Sequence, residues 1–201
     1  MTFDPAKHHR RSIRLVGYDY AQEGAYFATI CTHGRVCLFG DVMEDGVRLN
    51  AAGRVVESVW DGLPRHYPYV ELDACVIMPN HIHCIVVLTE NVGAGFKPAL
   101  TPGRAARISA HPEPALTAHT VRHGLPEIIR AFKTFSARGI NEIRNTAGMP
   151  VWHRNYYEHI IRNEKSLNRI RQYILDNPAR WAVDRENPLA VAPEPEDIWQ
   201  V

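Results

Sequence analysis

Long apolar stretches are absent from this chain of 201 residues, and no run approaches the roughly 18 apolar residues that a membrane-spanning helix needs. The basic N-terminal segment has no apolar stretch after it, so we expect no secretory signal. Charge of one sign is also lacking, because Lys+Arg 23 and Asp+Glu 22 leave a formal net charge of +1. This balance excludes a bulk polycation of the histone type. Any binding of nucleic acid must therefore depend on local basic patches.

Paired cysteines are missing as well. The four cysteines lie singly in hydrophobic stretches and form no CxxC pair. This usage is typical of reduced, buried thiols in a cytoplasm rather than of a disulfide framework or a zinc knuckle. We therefore predict a cytoplasmic protein without a membrane partner.

Strands are indicated by short apolar, β-branched stretches between turn residues. These stretches are residues 25–32, 70–78, 81–88 and 152–161. The second begins with a clean alternation that places Ala74 on the same face as Val70 and Leu72. A small additional hairpin is predicted around Glu44-Asp45-Gly46, because Asp-Gly supplies the positive φ angles of a tight turn.

Helices are predicted from Asn50 to about Gly62, with Pro64 ending the first, then from Pro126, and from Asn163 to Pro178. Without the small hairpin, the order is strand, helix, strand, strand, helix, strand. This order predicts an α+β fold, namely a ferredoxin-like β-α-β-β-α-β antiparallel sheet. We expect helices on one face of the sheet and a further, tyrosine-bearing helix at the C-terminal end.

Two segments depart from this pattern. Residues 91–124 contain 15 Ala, Gly or Pro among 34 residues, which predicts a disordered, basic insertion. Residues 182–201 are acidic and proline-rich, and we predict a loosely attached tail. The chain is therefore interpreted as a single domain over 1–181, carrying the insertion and followed by the acidic tail.

The sharpest motif for chemistry is His81-Ile82-His83 on the third predicted strand. Residues two apart on a strand point to the same face with Cα atoms roughly 6.5–7 Å apart, so the two imidazoles could bind one divalent cation. The alternative is two histidines on a solvated sheet face. A histidine-triad nucleotide hydrolase would need a third histidine at the position of Ile85.

A second motif lies on the last predicted helix. Tyr173 and Asn177 are four residues apart and therefore share one helix face, beside an apolar stripe that includes Ile170 and Ile174. The alternative is that Tyr173 is an amphipathic residue at the edge of the core. Asn177 would then simply end the helix before the proline that follows it.

The two motifs together suggest one site. A metal held by His81, His83 and the side-chain oxygen of Asn177 would keep open positions for a phosphate. Tyr173, one turn earlier on the helix, would bring its phenol to the same point. A tyrosine with a pKa near 10 is a poor nucleophile unless its phenolate is favoured, and a nearby cation could favour it.

Two stretches carry a resemblance to a known family. VIMPNHIHCIVVL resembles the HUH motif of single-tyrosine transposases. NYYEHIIRNEKSLNRIRQYILDNPARW resembles the tyrosine-helix signature of their REP-associated branch, with its Tyr-Ile-x-x-Asn-Pro core. The resemblance extends from Gly17 to Trp181 apart from the insertion, and the motifs occur in the right order around a long basic helix.

The resemblance implies cleavage and rejoining of single-stranded DNA beside a hairpin, without an external energy source. Position by position, His81 and His83 match the metal ligands, and Tyr173 matches the nucleophile that becomes linked to a 5′ phosphate. Asn177 matches the polar residue that completes the metal site. The metal in this family is Mg²⁺ or Mn²⁺. The expected partner is single-stranded or hairpin DNA, and the family implies either a monomer or a homodimer. It also implies a bacterial cytoplasmic protein that is associated with the nucleoid when bound to DNA.

Two other tyrosines compete for the role of nucleophile. Tyr156 and Tyr157 are adjacent on a predicted strand, so only one of them could face the metal. Both could instead be strand aromatics or stack on bases. The spacing to Asn177 and the motif match favour Tyr173.

DNA binding is expected to depend on local positive charge. The predicted DNA-binding residues belong to an N-terminal cluster, the long basic helix and the region of the tyrosine helix: Arg10, Arg11, Arg14, Arg130, Lys133, Arg138, Arg162 and Arg169. Each of them could equally be a solvated surface charge.

The sequence therefore predicts a metal-dependent single-tyrosine transposase and endonuclease that cleaves and rejoins single-stranded DNA near REP-like hairpins through a 5′-phosphotyrosine. One alternative is the same chemistry in an HUH replication initiator or relaxase. Another is a domesticated hairpin-binding protein that no longer cleaves. A third is a structural metal protein, which would lose its fold when the metal is removed.

Overall fold

The computed structural model describes residues 14–89 and 122–190. The predicted DNA-binding residues Arg10 and Arg11 lie outside the described residues, as do most of the 91–124 insertion and the tail from residue 191. The strands are β1 Gly24–Cys31, β2 Gly40–Met43, β3 Gly46–Leu49, β4 Val70–Ile77, β5 His81–Leu88 and β6 Tyr157–Ile161. The helices are α1 Ala51–His66, α2 Leu125–Arg144 and α3 Glu164–Asp176.

A four-stranded sheet in the order β4-β5-β1-β6 forms the centre of the molecule, and all its pairs are antiparallel. The predicted α+β class, with an antiparallel sheet in the expected element order, is confirmed. Strands β2 and β3 form a separate two-stranded hairpin around Asp45, also as predicted. In the described parts of the chain, no helix has the length and apolar character to cross a membrane.

The sheet has an apolar cluster on each face. Helices α1 and α2 cover one face, where Trp60 and Phe132 meet edge to face with ring centroids 5.8 Å apart. Helix α3 covers the other face, where Ile170 and Ile174 pack on Phe27 and Ile85 of the sheet. The face under α3 is the one that carries the histidines of β5.

Helix α1 begins where the sequence predicts and ends later. The side chain of Asn50 accepts hydrogen bonds from the backbone N–H groups of Ala52 and Gly53, as a helix N-cap does. The predicted end at Pro64 is wrong, because the helix continues to His66 with Pro64 inside it. Proline removes one backbone hydrogen bond, and burial of the neighbouring Leu63 in the core helps to retain the last turn.

Strand β4 departs from clean alternation. Its pairing with β5 shifts register between Leu72 and Cys75, which is a β-bulge. Leu72 and Cys75 pack toward α1 and α2, whereas Ala74 packs in the cluster under α3. The prediction that Ala74 shares a face with Leu72 is therefore wrong, because the extra residue reverses the alternation.

Candidate metal and tyrosine site

The two histidines of β5 lie on the sheet face that α3 covers. His81 and His83 are 0% and 2% exposed, and their ring centroids are 4.4 Å apart. Ile82, between them, points into the opposite core. The alternative of two histidines on a solvated sheet face is therefore wrong. Burial lowers the pKa of both imidazoles, well below the ordinary value for His83. Both rings are neutral near pH 7 and keep one lone pair each.

Asn80 determines which nitrogen of His81 carries that lone pair. The Asn80 side-chain Nδ2 donates to the backbone carbonyls of Arg35 and Glu186, over 3.1 and 2.6 Å. The remaining amide oxygen Oδ1 therefore faces Nδ1 of His81 at 2.9 Å. Because an amide oxygen only accepts, Nδ1 must donate, and the lone pair lies on Nε2.

His83 connects the sheet to the tyrosine helix. Its Nδ1 lies 2.8 Å from Thr29 Oγ1 of β1, and its Nε2 lies 3.2 Å from the Tyr173 hydroxyl. When Nδ1 donates to Thr29, Nε2 keeps one lone pair, which accepts the phenol proton of Tyr173 in the absence of a metal and is available to a cation in its place. Asn163 caps α3 by accepting from the backbone N–H of Ser166, which places the start of the helix where the sequence predicts it.

A carboxylate completes the arrangement. Asp184 Oδ2 lies 3.8 Å from Nε2 of His81, and the ligand atoms of His81, His83 and Asp184 all lie within 4.8 Å of one another. Asn177, 2% exposed, donates from Nδ2 to Asp184 Oδ2 over 3.1 Å. Among the described residues, His81 Nε2 and Asn177 Oδ1 are buried acceptors without a hydrogen-bond partner.

This donor set fits a divalent cation. A lone pair on His81 Nε2 faces a carboxylate oxygen, which is unfavourable unless a positive charge lies between them. Two imidazoles with one carboxylate are a common ligand set for divalent metals. The hydrogen bonds from His81 to Asn80 and between His83 and Thr29 are of the kind that orients metal-binding histidines.

Asp184 belongs to the segment that the sequence predicts to be a loosely attached tail. That prediction is wrong for its first residues, because Asp184 and Glu186 are 4% and 7% exposed. Glu186 Oε2 lies 3.2 Å from Nη2 of Arg35 and accepts from the Cys31 thiol. One signal was available in the sequence. Only a short turn over Pro178–Val183 separates Asp184 from α3, so the chain cannot move far from the end of the tyrosine helix.

The competing tyrosines lie elsewhere. Tyr156 packs against the core on the α1 and α2 side, and its hydroxyl lies 3.5 Å from Nη2 of Arg14. Tyr157 lies on the same face as His83, where its ring meets Phe27 edge to face. The hydroxyl that contacts His83 is that of Tyr173, whose ring lies 5.1 Å from the imidazole.

Some of the predicted DNA-binding residues come together and others do not. Arg14, Arg130 and Lys133 line a groove of about 530 Å³ between α2 and residues 149–156. Arg162 lines a neighbouring depression that also includes Arg14. The remaining two lie apart from the groove, one near the C-terminal end of α2 and one on α3: Arg138 and Arg169.

The sequence and fold of this chain are similar to those of known proteins. No protein-family model matches the sequence. An uncharacterised protein of Haemophilus influenzae is 41% identical over 181 residues, covering 89% of this chain and 93% of that protein. A second H. influenzae protein, named "Putative REP-associated tyrosine transposase", is 27% identical over 164 residues, covering 81% of this chain and 74% of that protein.

A solved structure shows a related fold. A REP-associated tyrosine transposase bound to a REP hairpin superposes with a TM-score of 0.50 at 20% identity, covering 84% of this chain and 74% of that chain. At this identity the likeness shows that the chain shares the fold of that transposase. In sequence and in fold, the chain is similar to proteins named REP-associated tyrosine transposases.

Proposed function

We propose that this protein is a metal-dependent endonuclease and strand transferase that acts on single-stranded DNA beside REP-like hairpins. The observation that carries the proposal is the 3.2 Å contact between the Tyr173 hydroxyl and His83 Nε2, beside a buried set of metal-ligand atoms. A nucleophile next to a cation site, on a face that a helix covers, suits attack on a phosphodiester. One sequence relative and one solved structure of similar fold carry the name of a REP-associated tyrosine transposase.

His81, His83 and Asp184 would hold Mg²⁺ or Mn²⁺, with the side-chain oxygen of Asn177 as a further ligand. When bound, such a cation polarises the phosphodiester and stabilises the leaving 3′ oxygen. The acidic character of the site supports this assignment, because Asp184 and Glu186 would otherwise repel a phosphate.

Tyr173 supplies the nucleophile. Its oxygen forms a bond to phosphorus, and the bond from phosphorus to the 3′ oxygen breaks. The phenol loses its proton and the leaving 3′ oxygen gains one, so the strand departs with a 3′ hydroxyl. The product is a 5′-phosphotyrosine, and a 3′ hydroxyl that attacks this linkage restores both the DNA bond and the phenol. Packing of Tyr173 between His83 and Phe27, with ring centroids 5.1 and 6.2 Å away, orients the phenol toward the ligand atoms.

The groove beside α2 is the proposed path for the DNA strand. His153 N donates to the carbonyl of Cys31, and Cys31 pairs with His81 across the ladder, so the backbone of His153 on the groove wall lies two strand spacings, or about 10 Å, from the backbone of His81. Its basic side chains include Arg130, Lys133 and Arg154. Such a lining suits the phosphates of a single strand.

The decisive experiment is capture of the covalent adduct. The protein is incubated with a labelled library of single-stranded hairpins and Mn²⁺, and products are separated in SDS. We expect an SDS-resistant adduct with the wild-type protein and with Tyr157→Phe, and none with Tyr173→Phe or with the double variant His81→Ala/His83→Ala. Tyr157→Phe is a matched control on the same sheet face.

Other outcomes would contradict the proposal in distinct ways. An adduct that survives Tyr173→Phe would assign the nucleophile to another tyrosine. Tight binding of a hairpin without any adduct would instead support a hairpin-binding protein that does not cleave.

A further inference from the structure

The tyrosine helix has few apolar contacts to determine its position. Of the 13 residues of α3, only Ile170 and Ile174 are completely buried. Both lie on the stripe that faces the sheet, beside the partly buried Leu167 and Tyr173, and so short a stripe limits rotation about the helix axis weakly. The position of the Tyr173 hydroxyl, at the end of a long side chain, is sensitive to that rotation. A further restraint is therefore needed.

An ion pair at the edge of the sheet provides the restraint. Arg171 Nε donates to Asp73 Oδ1 over 2.7 Å and Nη2 donates to Oδ2 over 2.5 Å, which is a two-point contact with a fixed relative orientation. Arg171 Nη1 also donates to Asn168 Oδ1 one turn earlier, over 3.0 Å. The guanidinium is thus held from both α3 and β4.

The bulge in β4 is what makes the contact possible. Because the register shifts between Leu72 and Cys75, Asp73 and Ala74 both come to the α3 side of the strand. The Asp73 carboxylate also accepts from the backbone N–H of Ala74 over 2.7 Å. Burial raises the pKa of Asp73, but the Arg171 and Ala74 hydrogen bonds outweigh it and leave the pKa below its ordinary value. The carboxylate is therefore charged at neutral pH.

Arg171 and Tyr173 lie on different sides of α3, and each bonds a different strand of the sheet. Residues two apart on a helix are separated by about 200° around its axis. Arg171 reaches outward to the edge strand β4, whereas Tyr173 reaches to His83 on the central strand β5. Contacts on two such sides restrain rotation of α3, which the apolar stripe alone does not.

We propose that Asp73 and Arg171 are a positioning pair. The pair fixes the rotation of α3 about its axis and so holds the Tyr173 hydroxyl beside the candidate metal ligands. The inference rests on the proposed role of Tyr173 as nucleophile. Neither residue touches the reacting atoms. Displacement of a reacting group by about 1 Å can cost about 100-fold in rate, so loss of the pair acts on the chemical step rather than on DNA binding.

The first test is the rate of adduct formation at saturating hairpin DNA and Mn²⁺. Asp73→Asn keeps the shape of the side chain, and Arg171→Lys keeps its charge but loses the two-point contact. We expect each variant to lower the first-order rate constant about 10- to 100-fold, with the Kd for the hairpin within about twofold of wild type. Gln172→Ala is the matched control, because Gln172 is on the same helix, is exposed and, within 14–89 and 122–190, bonds only Asp176.

The second test needs neither metal nor DNA. In the metal-free protein, the ¹⁵N shift of His83 Nε2 reports its hydrogen bond to Tyr173. We expect the shift to change in Asp73→Asn and in Arg171→Lys, and to remain at its wild-type value in Gln172→Ala.

The two readouts separate failure of this inference from failure of the proposed function. An unchanged His83 signal in both variants would overturn the positioning role, even if the wild type formed no adduct. A rate that falls only in proportion to the folded fraction would also overturn it. Absence of an adduct in the wild type would contradict the proposed function alone.

Discussion

At the scale of single residues, Asn80 explains why the neutral His81 directs the lone pair of Nε2 toward Asp184. Its amide is 0% exposed and uses both donor hydrogens on backbone carbonyls, so the oxygen is left for Nδ1 of His81. Without that acceptor, the ring could adopt the other tautomer or turn about its Cβ–Cγ bond. Asn80 therefore orients His81 at the candidate metal site without being a candidate ligand itself.

We predict that Asn80→Ala lowers the affinity for Mn²⁺ about 10- to 100-fold, as loss of an orienting partner does at other histidine metal sites. Isothermal titration calorimetry on the metal-free protein measures the effect. Asn141→Ala is the control, because Asn141 is also buried and also donates to a carbonyl, that of Met149. We expect this control to lose stability and retain Mn²⁺ affinity. Equal affinities in the two variants would contradict the orienting role.

Lys133 is the residue at which the proposed DNA groove should respond to pH. Its ammonium donates to the carbonyls of His153 and Arg154, and burial lowers its pKa to about 8. The charged groups that line the same groove include Arg14, Arg130 and Glu127. Because arginine stays protonated at these pH values, Lys133 is the cation of this groove that is lost as the pH rises through about 8.

We therefore predict that affinity for single-stranded DNA falls between pH 7 and pH 9, and that the slope of log K against log salt becomes shallower by up to about 0.7. Fluorescence anisotropy at several salt concentrations measures both quantities. Lys133→Arg should remove most of this pH dependence, because the guanidinium keeps its charge. A pH dependence that is identical in Lys133→Arg would assign the effect to another group.

At the scale of the element, α1 contains two glycines in opposite surroundings. A Cβ at Gly53 would lie 2.2 Å from the carbonyl oxygen of Phe39, whereas a Cβ at Gly62 would meet nothing within 4 Å. Gly53 is therefore required for the close approach of the first turn of α1 to the chain before β2. No such contact requires Gly62.

We predict that Gly62→Ala raises the free energy of unfolding by about 0.5–1 kcal/mol, because alanine loses less backbone entropy in a helix. Gly53→Ala should lower the free energy of unfolding by about 1–3 kcal/mol, because backbone must shift to admit the methyl group. Urea denaturation followed by circular dichroism measures both. Equal effects of the two substitutions would show that α1 does not pack as described.

The elements also show what the sequence could and could not predict. Strand β5, the Asn50 cap and the β2–β3 hairpin follow from local patterns, since each depends on residues close together in the chain. The bulge at Asp73 could not be predicted in this way. It is associated with a partner, Arg171, that lies 98 residues away in sequence. A local alternation pattern contains no information about that partner.

The residues of the candidate site also divide into those that the sequence predicts and one that it does not. His81, His83 and Tyr173 stand out from spacing and motif, and the structure places all three together. Asp184 was not predicted, because an acid in a proline-rich stretch has the composition of a solvated tail. Its short separation from the end of α3 was the one indication in the sequence, and the turn after α3 brings it back to the site, where it is 4% exposed.

At the scale of the whole molecule, the apolar clusters that hold the sheet are made of residues other than the candidate metal ligands. The sheet is held by two apolar clusters, and the larger one, under α1 and α2, contains none of the ligand residues. The candidate ligands occupy the end of β5 and the segment after α3. Removal of a cation should therefore leave the clusters intact, in contrast to a small metal protein that is unfolded without its ion.

We predict that excess EDTA abolishes adduct formation but leaves the far-UV circular dichroism spectrum unchanged. The free energy of unfolding should fall only by the binding term, which is about 2.7 kcal/mol for a metal present at 100 times its Kd. Calorimetry with and without chelator measures this difference, and re-addition of Mn²⁺ should restore both stability and adduct. The double variant His81→Ala/His83→Ala is the control, since EDTA should not change its stability. Loss of the spectrum in EDTA would show that the metal has a structural role, because the apolar clusters alone would then be insufficient to maintain the sheet.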